Sequence, residues 1–521
     1  MASRADTFAA LIDRAYDFGD LPSIVLGGAM LEHQALTGHL VRVPLRTLNR
    51  HGLISGATGT GKTKSMQIMA EQLSRAGVPS LLVDIKGDLS GIAAPSPGHP
   101  KIDERHRAIG LPFKPGSSPV EFLSLSKQPG VRLRATVSEF GPVLFSKLLD
   151  LNDTQAGVLA VVFKYCDDRR LPLLDLKDLR ESLAYIIGDG KAEFKAEYGM
   201  VSSTTVGAIL RKIVELEQQG ADTFFGEPSF EVEDLVRRDK RGRGIVSILR
   251  VVDIQDKPKL FSTFLLQLLA EIYATFEEAG DLDKPKLCLF FDEAHLIFKN
   301  ASKALLDQIE VIVKLIRSKG VGIFFVTQNP TDIPPVVLSQ LGLKIQHSLR
   351  AFTAKDRKNI KLAAENFPVS KYYDVPELLT NMGIGEALVT VLNKKGVPTP
   401  LVHTLLRAPQ SRMDVLKKAE IKAIVEQSRL VPKYQKPADR KSAYEILEEK
   451  INEAHSEDHK EKIDKQRRAS RKSKKSWFET VYNSTTTRQI GRTIARELTR
   501  TLLGVLGVRT TRRRRRRRRR Y

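Results

Sequence analysis

The spacing of apolar residues along this 521-residue chain changes several times. Gly52-Leu53-Ile54-Ser55 is a short apolar run that leads into a glycine-rich turn and then a helical stretch from about Lys62 to Arg75. A second apolar run follows, Ser80-Leu81-Leu82-Val83-Asp84. Strand, crossover helix and strand in this order form a βαβ unit and predict a parallel sheet. Residues 89–130 are rich in Pro, Gly and Ser and read as a loop with short strands. Between 140 and 220 the period turns helical. Leu148, Leu149, Leu151, Val158, Leu159, Val162 and Phe163 fall on one stripe, and Leu176, Leu179, Leu183 and Ile186 on another. The α/β rhythm then resumes. Strands are expected at 244–249, 286–291 and 321–327, with helices at 258–279 and 303–318. Shorter strands fit 343–347, 386–392 and 399–404.

These patterns divide the chain. Residues 1–50 form a short N-terminal region with little clear pattern. An α/β core starts at 51–130, is interrupted by an all-helical insertion at 131–235 and continues at 236–408. A charged helical linker spans 409–464, and a basic amphipathic tail with a poly-arginine end spans 465–521.

Charge sharpens that division. The net charge is +23, but Lys465–Tyr521 hold 21 basic and 2 acidic residues and so carry +19 of it. Residues 1–408 contribute +4 and residues 409–464 are neutral. Only two cysteines occur, Cys166 and Cys288, both in apolar stretches, which excludes a disulfide framework or a zinc cluster. No structural metal is expected. The first twenty residues lack the apolar core of a signal peptide, and no apolar run reaches the ~20 residues of a membrane span. A cytoplasmic protein is the expectation.

The turn after the first strand is Gly56-Ala57-Thr58-Gly59-Thr60-Gly61-Lys62-Thr63, which fits G-x-x-x-x-G-K-[ST] between a strand and a helix. Its glycines let backbone N–H groups converge on an anion, and the helix N-terminus adds its dipole. Lys62 then reaches the β- and γ-phosphates of ATP, and the Thr63 hydroxyl ligates Mg²⁺. Further on, Leu287-Cys288-Leu289-Phe290-Phe291 ends in Asp292-Glu293. Asp292 at the strand tip is placed to hold the Mg²⁺ shell, and Glu293 to activate water. Acids at a strand-to-helix junction also favour the next helix, which is the plainer reading of the pair. Asp292–His295 spell Asp-Glu-Ala-His, but the second motor domain of DEAH helicases has no counterpart here. The nearest echo of its arginine motif, Gln489-Ile490-Gly491-Arg492, has the wrong spacing.

A third strand, Val321–Thr327, ends in Gln328-Asn329-Pro330. Ligands of parallel sheets sit at the carboxyl ends of strands, so Gln328 is expected beside Glu293. Thr-Gln-Asn-Pro is also an ordinary turn sequence. Phosphoryl transfer gains from an added guanidinium, supplied in cis or by a neighbouring subunit. Arg50, Arg317 and Arg350 are the candidates, although each also reads as a surface charge.

Taken together, the chain resembles the HerA-like helicase C-terminal family, a branch of the HerA/FtsK motor ATPases. The strings that carry this are NRHGLISGATGTGKT at 49–63, VDIKGDLSG at 83–91, LDLNDTQAGVLAVVFKYCDD at 149–168, FFGEP at 224–228, KPKLCLFFDEAHLIF at 284–298, IRSKGVGIFFVTQNPTDIP at 316–334 and QHSLRAFTAKD at 346–356. The resemblance runs from about residue 20 to 405. It implies a RecA-like P-loop core with a glutamine at the sensor position. It also implies a homo-oligomeric ring, often a hexamer, with ATP bound between subunits and duplex DNA as the substrate that is moved. Arg50 matches a position where HerA-type motors carry an arginine acting at the interface. One departure is that HerA has an N-terminal barrel before its motor, whereas about 50 residues precede the phosphate loop here.

In the tail, Arg488, Arg492, Arg496 and Arg500 recur every four residues, and Ile490, Ile494, Leu498, Leu502 and Leu506 do so offset by two. On a helix this makes one basic and one apolar stripe. The basic stripe and the Arg512–Arg520 run suit nucleic-acid phosphates, while the apolar stripe calls for a partner subunit, the ATPase body or, less favoured, a membrane surface. A solvated terminus that binds polyanions non-specifically is the plainer alternative. The sequence thus predicts an ATP-driven DNA translocase or helicase-like motor. An ATP-dependent assembly switch without processive movement is the alternative.

Overall fold

The computed structural model describes residues 3–126, 128–254, 257–280, 282–298, 303–438 and 440–455. The tail expected at 465–521 lies outside these residues, as does the end of the charged stretch before it.

Twelve strands among the described residues form one sheet. They are β1 (Ser23–Leu31), β2 (Gln34–Pro44), β3 (Gly52–Ser55), β4 (Ser80–Asp84), β5 (Val120–Ser124), β6 (Val131–Arg132), β7 (Val246–Arg250), β8 (Leu287–Phe291), β9 (Val321–Thr327), β10 (Leu343–Gln346), β11 (Glu386–Thr390) and β12 (Val402–Leu406). Their order is β2-β1-β12-β11-β10-β3-β9-β8-β4-β7-β5-β6. From β10 to β6 every neighbouring pair is parallel. The other four strands pair antiparallel at one end. This is the mixed α/β fold with a parallel-rich sheet that the sequence predicts.

The central strands were legible because helices cover both of their faces, which demands apolar residues on both. β8 and β9 are buried at every position. Phe290 and Phe324 stack across them with ring centroids 4.7 Å apart. Alternate residues of each strand feed opposite cores. Leu82, Phe290 and Phe324 pack with Met66 and Met69 of helix Lys62–Arg75. Leu81, Leu289 and Ile323 join the core that continues into the helical region. In that region helices Val137–Leu148, Asp153–Asp168, Leu176–Ile187, Lys191–Tyr198 and Ser203–Gln218 separate β6 from β7. Thr136, Asn152 and Asp175 cap three of them, each paired reciprocally with the side chain three residues on.

Four segments differ from the sequence reading. Residues 1–50 hold a helix, Arg4–Tyr16, and the long hairpin of β1 and β2. A Cβ on Gly27 would lie 2.0 Å from the Leu405 carbonyl oxygen. The glycine that blurs the strand pattern is therefore what lets β1 approach β12, and register shifts around Gly27 and Gly28 break the alternation further. The stretch 89–130 contains a helix, Pro100–Ile109, with proline at its start and His99 accepting from the Lys101 amide. The helix expected to 279 ends at Thr275, and the last strand begins at Val402 rather than 399.

The charged stretch after 409 packs onto the body. Tyr434 is fully buried, and its hydroxyl donates to Asp234 at 2.6 Å. The Tyr444 amide donates to Asp178 at 2.9 Å.

Because the central strands are parallel, they all finish at one edge of the sheet. There β3 runs into the Gly56–Thr63 loop, β4 into residues 85–89, β8 into Asp292-Glu293 and β9 into Gln328. Parallel order alone therefore gathers the candidate residues.

Candidate functional site

The loop Gly56–Thr63 is held from the β10 side. The Ala57 amide donates to the Ser348 carbonyl at 2.8 Å, and the Gly385 amide donates to the Thr60 carbonyl at 3.0 Å. His347 lies behind the loop with Nε2 2.8 Å from the Ser65 hydroxyl. Burial pushes its imidazole down to about 4, and the Lys62 charge adds to this, so it packs there neutral. Gly56 has φ +151°, and a Cβ there would lie 2.5 Å from the His347 Cβ. This position requires glycine on both counts. Lys62, only 5% exposed, donates to the Gly56 carbonyl at 2.7 Å and the Ala57 carbonyl at 3.0 Å. Burial lowers its pKa, and neighbouring Lys86 lowers it further.

The acidic side of the site is built by β4 and β8. Asp84 is buried and accepts from the amides of Gly87, Asp88 and Leu89 at 2.7, 3.2 and 3.4 Å, which fixes the turn after β4. That turn delivers Asp88, whose carboxylate accepts from the Thr63 hydroxyl at 3.2 Å. Asp292 accepts from the Glu293 amide at 2.9 Å. Burial pushes the Asp292 carboxyl up to about 7, against the opposing pull of Lys86. Asp88 Oδ1 and Asp292 Oδ2 are both buried with no hydrogen-bond partner among the described residues. Two orphaned carboxylate oxygens beside the Thr63 hydroxyl are an oxygen donor set suited to Mg²⁺. Asp88 is the residue that the sequence reading passed over. Its signal was present, two acids four apart directly after a buried strand.

Glu293 adopts φ +47°, a left-handed conformation that costs a non-glycine residue of order 1 kcal/mol and is retained chiefly at functional sites. Its carboxylate is 6% exposed and forms an ion pair with Lys86. His295 Nδ1 lies 3.1 Å away, and Gln328 Nε2 donates to Glu293 Oε2 at 3.4 Å. Burial alone would raise the Glu293 pKa, but Lys86, His295 and Gln328 hold it below the usual range. Gln328 and Glu293 therefore meet as the strand order requires.

The three arginines are spread apart. Arg350 is exposed two residues beyond Ser348, on the edge that carries the loop. Arg50 and Arg317 line a cleft of about 370 Å³ together with His51, Lys314 and Lys344. This cleft is at the opposite edge, where the Arg50 and His51 carbonyls accept from the Gly342 and Leu343 amides at the start of β10. Arg50 and Arg317 thus stand at the strand edge opposite the phosphate loop of their own chain, Arg50 being separated from it by β3.

A family model for the helicase HerA-like C-terminal region matches residues 30–514. The chain belongs to this family. Among curated relatives, a probable helicase of Methanocaldococcus jannaschii is 34% identical over 154 residues, 28% of each chain. The DNA double-strand break repair helicase HerA of Saccharolobus solfataricus is 23% identical over 390 residues, covering 73% of this chain and 70% of that protein. Among solved structures, the HerA-like chain shares its fold with the bacterial conjugative coupling protein TrwBdeltaN70. In its unbound monoclinic form that protein gives a TM-score of 0.50 at 14% identity, over 78% of this chain and 94% of that one. No helix among the described residues is long and apolar enough to cross a membrane.

Proposed function

We propose that this HerA-like protein hydrolyses ATP with Mg²⁺ and uses the energy to move on duplex DNA as a homo-oligomeric ring, with a hexamer as the favoured form. The observation that carries the reading is the meeting of Glu293 and Gln328 at 3.4 Å, on the sheet edge that also carries the Gly56–Thr63 loop. The loop amides and Lys62 bind the phosphates. Thr63 and Asp292, joined by Asp88, would hold Mg²⁺, which would supply charge neutralisation for the phosphates. Glu293 orients the attacking water and accepts its proton, while Gln328 holds the Glu293 carboxylate in place. Arg50 and Arg317 stand at the opposite edge of the sheet, which supports action across a subunit boundary. The relatives named as helicases support nucleic acid as the partner. The net charge of +19 from Lys465 onward supports it independently.

The test is ATP turnover with and without duplex DNA, single-stranded DNA and RNA. Strong stimulation by duplex is expected. Turnover indifferent to all three would favour an assembly switch, and no turnover would overturn the reading.

A further inference from the structure

Lys86 has no role in the reading so far, yet it is in direct contact with the proposed base, alongside His295 and Gln328. It stands in the turn after β4, which Asp84 pins through three backbone amides. Gly87 takes φ +79° there and lets the chain reverse. The Lys86 ammonium therefore comes from a fixed backbone. Its ammonium forms an ion pair with Glu293 Oε1. The side chain is 37% exposed, whereas its partner is 6% exposed. The ammonium thus bridges the buried carboxylate and the open side of the site. Asp292 and Asp88 attract it, and it is close enough to Lys62 that its charge lowers the Lys62 pKa.

Strand order fixes how a nucleotide would lie across this edge. β3 has β9 and then β8 on one side, and β10 and then β11 on the other. The groups suited to hydrolysis, Glu293 and Gln328, are on the β8–β9 side. A nucleotide with its phosphates in the loop must point its terminal phosphate toward them and its base toward β10. Lys86, from β4 beyond β8, sits on the terminal-phosphate side.

We infer that Lys86 is a second cation for the terminal phosphate and a positioning residue for Glu293, joining the two through one ammonium. This deepens the ATPase reading and rests on it. The competing explanation is that Lys86 only neutralises the buried acids Asp84, Asp88, Asp292 and Glu293. That role involves no phosphate, so it would not separate a triphosphate from a diphosphate.

The experiment compares the affinity of the full-length chain for ADP and for a non-hydrolysable ATP analogue, both with Mg²⁺, in the wild type, Lys86→Met and Lys86→Arg. A charge-assisted contact to the terminal phosphate predicts a loss of roughly tenfold or more for the analogue in Lys86→Met, with ADP affinity within about twofold of wild type. Lys86→Arg should restore most of the preference. Equal loss for both nucleotides, no loss for either, or failure of Lys86→Met to bind any nucleotide would each overturn the inference. A wild-type chain that binds neither nucleotide would instead remove the ATPase reading beneath it.

Discussion

His347 Nε2 lies 2.8 Å from the Ser65 hydroxyl, so a buried imidazole on β10's end braces the first turn of the helix that follows the phosphate loop. A second buried imidazole, His51, works at the other edge. Its Nδ1 accepts from the Ile323 amide at 3.0 Å, and its Nε2 donates to the Val313 carbonyl at 2.8 Å.

Burial pushes both imidazoles down to about 4 from an ordinary 6.5. The unfolded chain therefore binds more protons between those values. Stability is fully present above pH 6.5 and is lost as pH falls toward 4, at about 1 kcal/mol per pH unit for each histidine. The Asp292 and Asp84 carboxyls, pushed up to about 7 and about 6, act in the opposite sense over the same range. The histidine contribution is therefore read as a difference. Denaturant titrations at pH 7.5 and pH 5 should show the wild type losing more, or gaining less, stability on acidification than His51→Asn with His347→Asn.

Gly56→Ala should abolish nucleotide binding and destabilise the fold by roughly 1–3 kcal/mol, since the added carbon meets the His347 Cβ in a backbone conformation that alanine resists. Gly59→Ala tests the specificity of that claim. A Cβ there meets nothing within 4 Å, so only the strain of its φ of +81° applies, and its effect on stability should be smaller. Thermal unfolding combined with nucleotide titration separates the two variants.

Arg50 and Arg317 share a cleft at the edge opposite the phosphate loop. If either acts in trans, its alanine variant should bind ATP normally and hydrolyse it poorly. Mixing that variant with Lys62→Ala should recover part of the activity, because some interfaces then combine an intact loop with an intact arginine. Arg350→Ala, on the loop-bearing edge, should be rescued in this way only if its guanidinium also reaches a neighbour. An active monomer at working concentration would contradict the ring.

Much of this architecture was legible in the sequence. β8 and β9 are buried at every residue and almost wholly apolar because both faces are covered, and glycines, lysine and acids mark the strand ends. What escaped depended on contacts distant in sequence. β1 needs Gly27 only because β12, almost 380 residues later, passes within 2.0 Å of where a Cβ would stand. Asp88 joins the site only because the Asp84 carboxylate folds the turn back onto helix Lys62–Arg75. Arg50 precedes β3 and so stands at the edge opposite the phosphate loop, a placement that fits the interface position the family resemblance implies for it.

Deleting Lys465–Tyr521 removes +19 of the net charge. Basal ATP hydrolysis should survive, while nucleic-acid affinity falls and its salt dependence flattens. Log affinity of the full chain should fall with log salt at about −0.9 per duplex phosphate neutralised. Replacing Arg512–Arg520 alone distinguishes the arginine run from the Arg488–Arg500 stripe. Equal affinity and equal salt slope for full-length and truncated chains would mean that the tail does not hold nucleic acid. Co-sedimentation with anionic liposomes would then test the apolar stripe.

The central claim is that Glu293 activates water for hydrolysis of a nucleotide held by Lys62 and its loop. Its most direct test is single-turnover ATP hydrolysis by Glu293→Gln, with binding of a fluorescent ATP analogue measured on the same protein. The account predicts wild-type binding and a fall in rate of roughly 10²-fold or more. Hydrolysis by Glu293→Gln at the wild-type rate would contradict it.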